Sequence, residues 1–197
     1  MKKGVVAALA IAAAAAAVPA AAQDKGIYLG GSAGYSQYQD VCQNLAIPCK
    51  DDSTGWRAFA GYQFHRNWAA EFGYGRLGKA EGNGLFGGGT GSFTQESKGW
   101  DVSILGSFEI VSRLTAFGRL GAYSARTTLD QEVTAAGTTT TFSDADSQSG
   151  VTYGLGIAYN LSHIGVRLEW QRYDNIGINS FGHDDLDVFS LGLLFRF

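Results

Sequence analysis

Large apolar residues alternate with small or polar residues in eight segments that cover most of the chain after residue 26. In segment 151–159, Val151, Tyr153 and Leu155 alternate with threonine and glycine. Successive side chains of a β-strand point to opposite faces of its sheet, so each segment predicts a strand with one large apolar face and one small face. The other segments are 27–38, 55–64, 68–77, 100–110, 114–127, 164–173 and 187–197, with Phe59 and Leu105 out of phase.

The connections between these segments alternate strictly between short and long. Short connections lie at 65–67, 111–113 and 161–163, and long polar connections lie at 39–54, 78–99, 128–150 and 174–186. Antiparallel strands that run up and down place all short turns at one end of the sheet. Segments of about 9–11 residues match strands that cross a bilayer at a tilt. Short turns on one side and long loops on the other are typical of outer-membrane β-barrels.

The composition of the two faces favours a membrane barrel over a soluble sheet. Only 17% of the residues are charged, and the small face consists mostly of glycine, serine, threonine and alanine. The water-facing side of a soluble sheet carries many more charges. An eight-stranded barrel has room inside for side chains only, so the small face fits the interior and the large face fits lipid. The alternative is a soluble β-sandwich or a lipocalin-like barrel, in which the apolar face forms the core.

Aromatic residues of the large face gather at both ends of the segments. Trp68 and Phe108 lie near short connections, whereas Trp56, Trp100 and Trp170 lie toward long ones. Aromatic rings prefer the two membrane–water interfaces. The sequence therefore predicts an all-β fold, an eight-stranded antiparallel up-and-down transmembrane β-barrel.

The charged residues of the small face predict a polar network inside this barrel. Four basic and four acidic side chains cancel one another, and a buried ion is costly unless it is paired. The network has two interpretations: it fills and fixes the interior, or rearrangement of the Arg167 pairs opens a narrow path. Its predicted members are Arg57, Glu71, Asp101, Glu109, Arg119, Arg167, Glu169 and Arg196.

Residues 1–22 have the pattern of a secretory signal peptide. Lys2 and Lys3 precede an alanine-rich apolar run, and Pro19 is followed by small residues that suit cleavage after Ala22. A transmembrane anchor is the alternative, but alanine is only weakly apolar. The sequence thus predicts that the signal peptide is removed, that residues 23–197 form the barrel domain, and that the protein is exported to the outer membrane.

Cys42 and Cys49 are the two cysteines of the chain and lie close together in a polar stretch. In an oxidising compartment we expect them to form a disulfide. A metal site or a redox pair is the alternative, but the spacing is not C-x-x-C and no histidine is near.

Several stretches resemble the N-terminal transmembrane domain of the OmpA family, in the order in which that family carries them. The likeness covers nearly all of residues 23–197. The stretches are Gly34-Tyr35-Ser36-Gln37-Tyr38, Gly61-Tyr62-Gln63, Glu71-Phe72-Gly73-Tyr74, Gly118-Arg119-Leu120-Gly121, Arg167-Leu168-Glu169-Trp170-Gln171, Asn175-Ile176-Gly177 and Ser190-Leu191-Gly192-Leu193-Leu194-Phe195-Arg196-Phe197.

This resemblance implies an outer-membrane barrel with an interior gate. Arg167 and Glu71 match gate positions, but Leu105 stands where the family has a lysine and Ala158 where it has a second glutamate, so half of that gate is missing. The resemblance also implies that the C-terminal aromatic, Phe197, is part of a signal for the barrel assembly machinery.

Phe195, on the same outward face as Phe197, completes the predicted assembly signal. Larger family members add a peptidoglycan-binding domain after a linker. Because this chain ends at Phe197, we expect no such tether.

Three functions are compatible with these features. The first is a structural outer-membrane barrel, porin-like at most, with slight gated permeability to small solutes, surrounded by outer-membrane lipid and lipopolysaccharide. The second is a surface protein whose loops recognise an extracellular partner. The third is a lipid-modifying barrel enzyme, but Ser180 and His183, which share the last long connection, do not form a triad pattern.

We therefore expect no enzyme activity and no cofactor. We also expect no metal site, since the cluster His183, Asp184, Asp185 and Asp187 fits no metal motif and suits a solvated acidic loop. A net charge of −3 argues against binding to nucleic acid.

Overall fold

The chain forms one sheet of antiparallel strands whose first and last strands pair. The computed structural model describes residues 25–38, 49–50, 52–86, 89–135, 137–178 and 182–197. Within these residues, no helix is long and apolar enough to cross a membrane. The strands are β1 Gly26–Tyr38, β2 Cys49–Lys50, β3 Asp52–His65, β4 Trp68–Phe86, β5 Gly89–Val111, β6 Leu114–Ala135, β7 Thr138–Leu161, β8 Ile164–Ile178 and β9 Gly182–Arg196.

The eight long strands close into a barrel. Each pairs with its neighbour in the chain, and β1 pairs with both β3 and β9, from Tyr28 opposite Arg196 to Tyr38 opposite Leu186. The backbone N–H of Phe197 donates to the carbonyl of Ile27 at 3.1 Å and extends this seam. The two-residue strand β2 pairs with the outer part of β4. The predicted eight-stranded up-and-down barrel is thereby confirmed.

The long connections differ from the loops that the sequence predicted. Most of the described residues in these connections continue the strands as paired hairpins, so β4 to β7 are 19 to 24 residues long instead of about ten. The β6–β7 ladder, for example, continues to Ala135 opposite Thr138. Hydropathy could not reveal these extensions because both of their faces meet water beyond the bilayer. Backbone pairing and short polar contacts, such as Thr134 Oγ1 to Thr139 Oγ1 at 2.9 Å, hold them together.

Side chains of the large apolar face point out of the barrel. Leu155 and Leu193 are 65% and 60% exposed. Phe59 and Leu105, which broke the alternation, are buried inside the barrel instead. The interior therefore takes bulky apolar residues at selected positions, where they replace the small residues of the pattern.

Two apolar layers fill the two ends of the interior. The lower layer lies toward the short turns and contains Tyr28, Phe59, Leu105, Phe117, Ala158 and Leu194. The upper layer lies toward the long hairpins and contains Tyr38, Leu77, Ala80, Tyr123, Ala125, Tyr173, Ile176 and Leu186. Buried polar side chains occupy the space between these layers.

Nitroxide labels test which face meets lipid. In protein reconstituted into vesicles, a label at Leu155 or Leu193 should relax faster with dissolved oxygen than with a water-soluble nickel complex, because oxygen concentrates in acyl chains. A label at Thr140, in the exposed part of β7, should show the opposite preference. Faster relaxation by nickel at Leu155 and Leu193 would contradict the assignment of the faces.

Candidate functional site in the barrel interior

Six of the eight predicted network residues meet in the middle of the barrel. All six side chains are at most 8% exposed, and the group combines three arginines with three carboxylates. They come from β3, β4, β5, β6 and β8, so the closed barrel brings them together. We call Arg57, Glu71, Asp101, Arg119, Arg167 and Glu169 the interior charge cluster.

The carboxylate of Glu71 is the centre of this cluster. Arg167 donates to Oε1 at 2.6 Å, Arg57 donates to Oε2 at 3.3 Å, and Arg119 donates to Oε2 as well. Tyr28 adds a fourth donor, with its hydroxyl 2.9 Å from Oε1. One buried carboxylate thus accepts from three arginines that reach it from three other strands.

The other two carboxylates balance the remaining positive charge. Asp101 accepts two bonds from Arg57, from Nε and Nη2, each at 2.8 Å. Glu169 lies 2.9 Å from Arg119 Nε and 3.2 Å from Arg167 Nε. Neither of these N–H groups points at the carboxylate, and Glu169 Oε1 receives no hydrogen bond from the described residues. Asp101 is therefore fixed by directional bonds, whereas Glu169 is held mainly by charge.

Aromatic rings and glycines shape the space around the arginines. The guanidinium carbon of Arg167 lies 4.2 Å from the ring centre of Phe59 and 5.2 Å from that of Phe117. Both contacts are close enough for cation–π attraction. Gly73 makes room for Arg57, since a Cβ at Gly73 would lie 2.3 Å from Arg57 Nε.

A short polar chain leads from the cluster toward the upper layer. Arg119 donates to the side-chain oxygen of Gln171 at 2.9 Å, and Gln171 donates to Thr152 at 2.9 Å. Gln171 and Tyr28 were not among the predicted members of the network. Both have the parity of the small face, so strict attention to alternation would have placed them inside.

Two predicted members lie away from the cluster. Glu109 is exposed beside the short turns and pairs with Arg66 at 3.7 Å. The prediction that Glu109 belongs to the interior network is therefore wrong. The barrel no longer encloses β5 at that level. Arg196 is partly buried near the same end and donates to Asn160 at 2.7 Å.

Leu105 and Ala158, the two positions where the resemblance implied that gate charges are missing, belong to the lower layer. Leu105 and Ala158 pack with Phe117 in one buried apolar group. Arg57 and Arg119 supply the charge that balances the carboxylates instead. The charge arrangement of this interior is thus built around Glu71 and three arginines, with Leu105 and Ala158 outside it.

A small cavity lies beside the charges, among the residues that the structure describes. A cavity of about 20 Å³ lies between Arg57, Leu77 and Tyr173, on the side of the upper layer. That volume holds about one water molecule. The arrangement of the described residues can therefore fix charges in place.

The other predicted site residues lie at the two ends of the barrel. Phe195 and Phe197 face outward with ring centres 5.1 Å apart, next to the short turns. Cys42 lies outside the described residues, and Cys49 is described through its backbone pairing with Gly82 only.

The acidic cluster of the last long connection is only partly described. Ser180 and the side chains of His183 and Asp184 lie outside the described part of the chain. Asp187 belongs to β9 and accepts from Arg172 at 2.7 and 2.6 Å, so the solvated loop that we predicted for it is wrong.

Comparison with known proteins identifies what the chain is similar to. Residues 22–197 match the family described as OmpA-like transmembrane domain. Outer membrane protein A of Klebsiella pneumoniae is 30% identical over 187 residues, which cover 90% of this chain and 53% of that protein. The chain spans about half the length of the curated relatives it matches.

Solved structures share the fold. OprG, an outer membrane protein of Pseudomonas aeruginosa, superposes with a TM-score of 0.54 at 16% identity, covering 88% of this chain and 95% of that one. Ail, the attachment invasion locus protein of Yersinia pestis, gives 0.51 at 14% identity, covering 87% and 99%.

Replacing Glu71 tests the role of the cluster. Glu71→Gln leaves three buried arginines with two carboxylates, and an unbalanced buried charge typically costs about 3–5 kcal/mol. Urea unfolding of vesicle-inserted protein should show a loss of this size. Glu169→Gln is the matched control: it leaves the same excess of one positive charge but loses fewer directional hydrogen bonds, so it should cost less than Glu71→Gln. Adding Arg167→Gln to Glu71→Gln should recover part of the loss, and an equal loss in the two single variants would contradict the central role of Glu71.

Proposed function

Because the chain belongs to the family of OmpA-like transmembrane domains, we propose that it is a structural barrel that spans and seals the outer membrane of a Gram-negative envelope. It is an outer-membrane β-barrel protein. The observation that carries the proposal is the interior charge cluster, which lies between two apolar layers. A barrel that served mainly as a channel would need a wet interior.

The arrangement of the cluster supports a sealed state. Arg167 would have to leave Glu71, Glu169 and the Phe59 ring to open a path along the axis. Such a change is populated only if a second arrangement has nearly the same free energy. Any permeability to small solutes is therefore slight and depends on rearrangement of the Arg167 pairs.

The proposal assigns the barrel no enzymatic role. The buried carboxylates are all paired with arginines, and the hydroxyl of Tyr28 donates to Glu71. A nucleophile or general base needs access to substrate, which these groups lack. The family is one of structural outer-membrane proteins, in keeping with this assignment.

Assembly involves features at both ends of the chain. Residues 1–22 act as a signal peptide for export. The outward rings of Phe195 and Phe197, at the end of the closing strand β9, act as the signal for the barrel assembly machinery. A Cys42–Cys49 disulfide would close a small loop before β3. Outer-membrane lipid and lipopolysaccharide surround the inserted barrel.

Planar-bilayer recordings test whether the barrel is sealed. We expect wild-type protein to give no lasting conductance and Arg167→Ala to give small openings, because the substitution removes the group between Phe59 and Phe117. Arg172→Ala, on the outer face, is the control and should behave as wild type. A wide, steadily open wild-type channel would refute the sealed barrel, and equal conductance from wild type and Arg167→Ala would refute the role of Arg167.

Surface recognition is a second candidate function, favoured by the long hairpins. The β5–β6 and β6–β7 ladders continue far beyond the aromatic belt as a paired extracellular ribbon. This ribbon offers a rigid, exposed surface, with Phe142 60% exposed at the far end. Binding residues are often found on such elements because a stable scaffold positions them.

Shortening the ribbon tests this second function. Deletion of residues 130–143 removes the outer part of the β6–β7 hairpin and leaves the membrane-spanning part of both strands. We expect the variant to insert normally but to lose adhesion of whole cells to a host-matrix surface. Unchanged adhesion, together with normal amounts of the variant in the outer membrane, would argue against surface recognition by this hairpin.

A further inference from the structure

Three basic residues lie side by side on the outer surface of the barrel. Arg76 of β4 is opposite Lys98 of β5, and Lys98 is opposite Arg126 of β6. Directly opposed residues have Cα atoms about 4.5–5.5 Å apart, so the three form one continuous row. The row faces outward, because Arg76 is opposite the outward Trp56 and Lys98 has the parity of Trp100. We call Arg76, Lys98 and Arg126 the cation row.

The cation row lies at the height of lipid headgroups. Tyr74 and Trp100 form an opposed, outward aromatic pair two residues closer to the membrane centre. Two residues span about 7 Å along a strand, or about 5 Å along the membrane normal at a tilt of about 40°. Aromatic side chains mark the interface, so the row lies just outside it. It is on the side of the long hairpins, which corresponds to the outer leaflet.

The row carries more positive charge than its neighbours neutralise. Lys98 Nζ lies 2.9 Å from Glu96. Arg126 makes no ion pair with any residue that the structure describes. Arg76 donates from Nη2 to the carbonyl of Thr54 at 3.2 Å, and its Nε has no partner among the described residues. One carboxylate thus faces three cations.

Arg172 shows that the surplus of positive charge at the cation row is particular to one side of the barrel. Arg172 lies two residues outward of Trp170, as Lys98 lies two residues outward of Trp100. It is flanked by Asp187 at 2.6 Å and Asp185 at 3.6 Å, and its guanidinium lies over the Trp170 ring. At the same height on another strand, the cation is therefore already paired.

A depression of about 360 Å³ lies beside the cation row. Its walls include Tyr74 and Trp100 on the membrane side and, on the outer side, Lys98, Arg126 and the Glu96 carboxylate that pairs with Lys98. It exists because Ser124, opposite Trp100, is small and leaves the surface beside the indole open. The volume falls within the range of about 300–1,000 Å³ that is usual for ligand sites.

The chemistry of this depression matches a phosphorylated sugar. Guanidinium and ammonium groups bind phosphate oxygens through charge-assisted hydrogen bonds. Serine hydroxyls donate to and accept from sugar hydroxyls, and aromatic faces suit the apolar face of a sugar ring. We propose that the cation row and the depression bind the phosphorylated sugar headgroup of a glycolipid in the outer leaflet. This proposal rests on the proposed function as an outer-membrane barrel, and it assigns that barrel a specific lipid site.

Binding to defined lipids tests the site. Full-length protein is refolded into phosphatidylcholine nanodiscs, and the affinity for bisphosphorylated lipid A is compared with that for its dephosphorylated form. A cation near an anionic headgroup changes affinity by about fivefold, so Arg76→Gln, Lys98→Gln or Arg126→Gln should each weaken binding about fivefold and the triple variant about 100-fold. Arg172→Gln, the matched control, should bind as wild type.

A second variant separates a shaped site from diffuse attraction of charge. Ser124→Leu fills the depression with an apolar side chain at a lipid-facing position and leaves the charge unchanged. It should weaken binding of lipid A at least fivefold while the barrel inserts normally. Inorganic phosphate added in solution should not displace the lipid, because it lacks the sugar and the anchoring acyl chains.

Each other outcome overturns the proposal. The site is refuted if the triple variant binds as wild type, if Arg172→Gln weakens binding equally, if Ser124→Leu has no effect, or if free phosphate competes. Slower gel migration after boiling reports insertion independently of lipid binding. Failure of wild-type protein to insert would contradict the proposed function itself, whereas normal insertion without preference for phosphorylated lipid would refute only the site. If the triple variant does not insert, the lipid A affinities of the three single variants decide whether the site exists.

Discussion

Backbone hydrogen bonding is the constraint on which the rest of this structure depends. Lipid offers no partner for an exposed N–H or C=O group, so a sheet can cross a membrane only when it has no free edge. Pairing of β1 with β9 removes the two edges of this sheet. Once the ring is closed, every residue of a spanning strand points either to lipid or into a narrow interior. The alternating sequence, the outward aromatic residues and the crowded interior all follow from that division.

Closure also determines how the interior is stabilised. Eight strands enclose little volume, so charged side chains that point inward are desolvated and must neutralise one another. Glu71 achieves this by accepting from three arginines at once. The cluster lies between two apolar layers, and such low-polarity surroundings strengthen its ion pairs and make any unpaired charge more costly.

The sequence predicted the faces of the strands well, because a period of two is a direct consequence of strand geometry. The sequence predicted less well the positions at which interior packing or exposure to water, and not alternation, determines where a side chain lies. Phe59 and Leu105 broke the pattern because the interior takes bulky residues, with glycines such as Gly30 opposite Phe59 leaving the space. Glu109 has the inward parity but lies where the barrel no longer encloses it. The extent of the hairpins was missed because hydropathy does not alternate where both faces meet water.

The spacing of the cluster along the chain has a consequence for the order of assembly. Glu71 and Arg167 are separated by 96 residues, yet they meet directly in the finished barrel. A partly inserted chain would hold isolated charges in an apolar environment, and such intermediates would be high in free energy. We therefore expect the spanning strands to enter the bilayer together, with neutralisation of the last arginine as a late step. Contacts between residues that are far apart in the chain slow folding. Because the ion pairs of the cluster form only when the distant strands are together, they also make formation of the native state strongly cooperative.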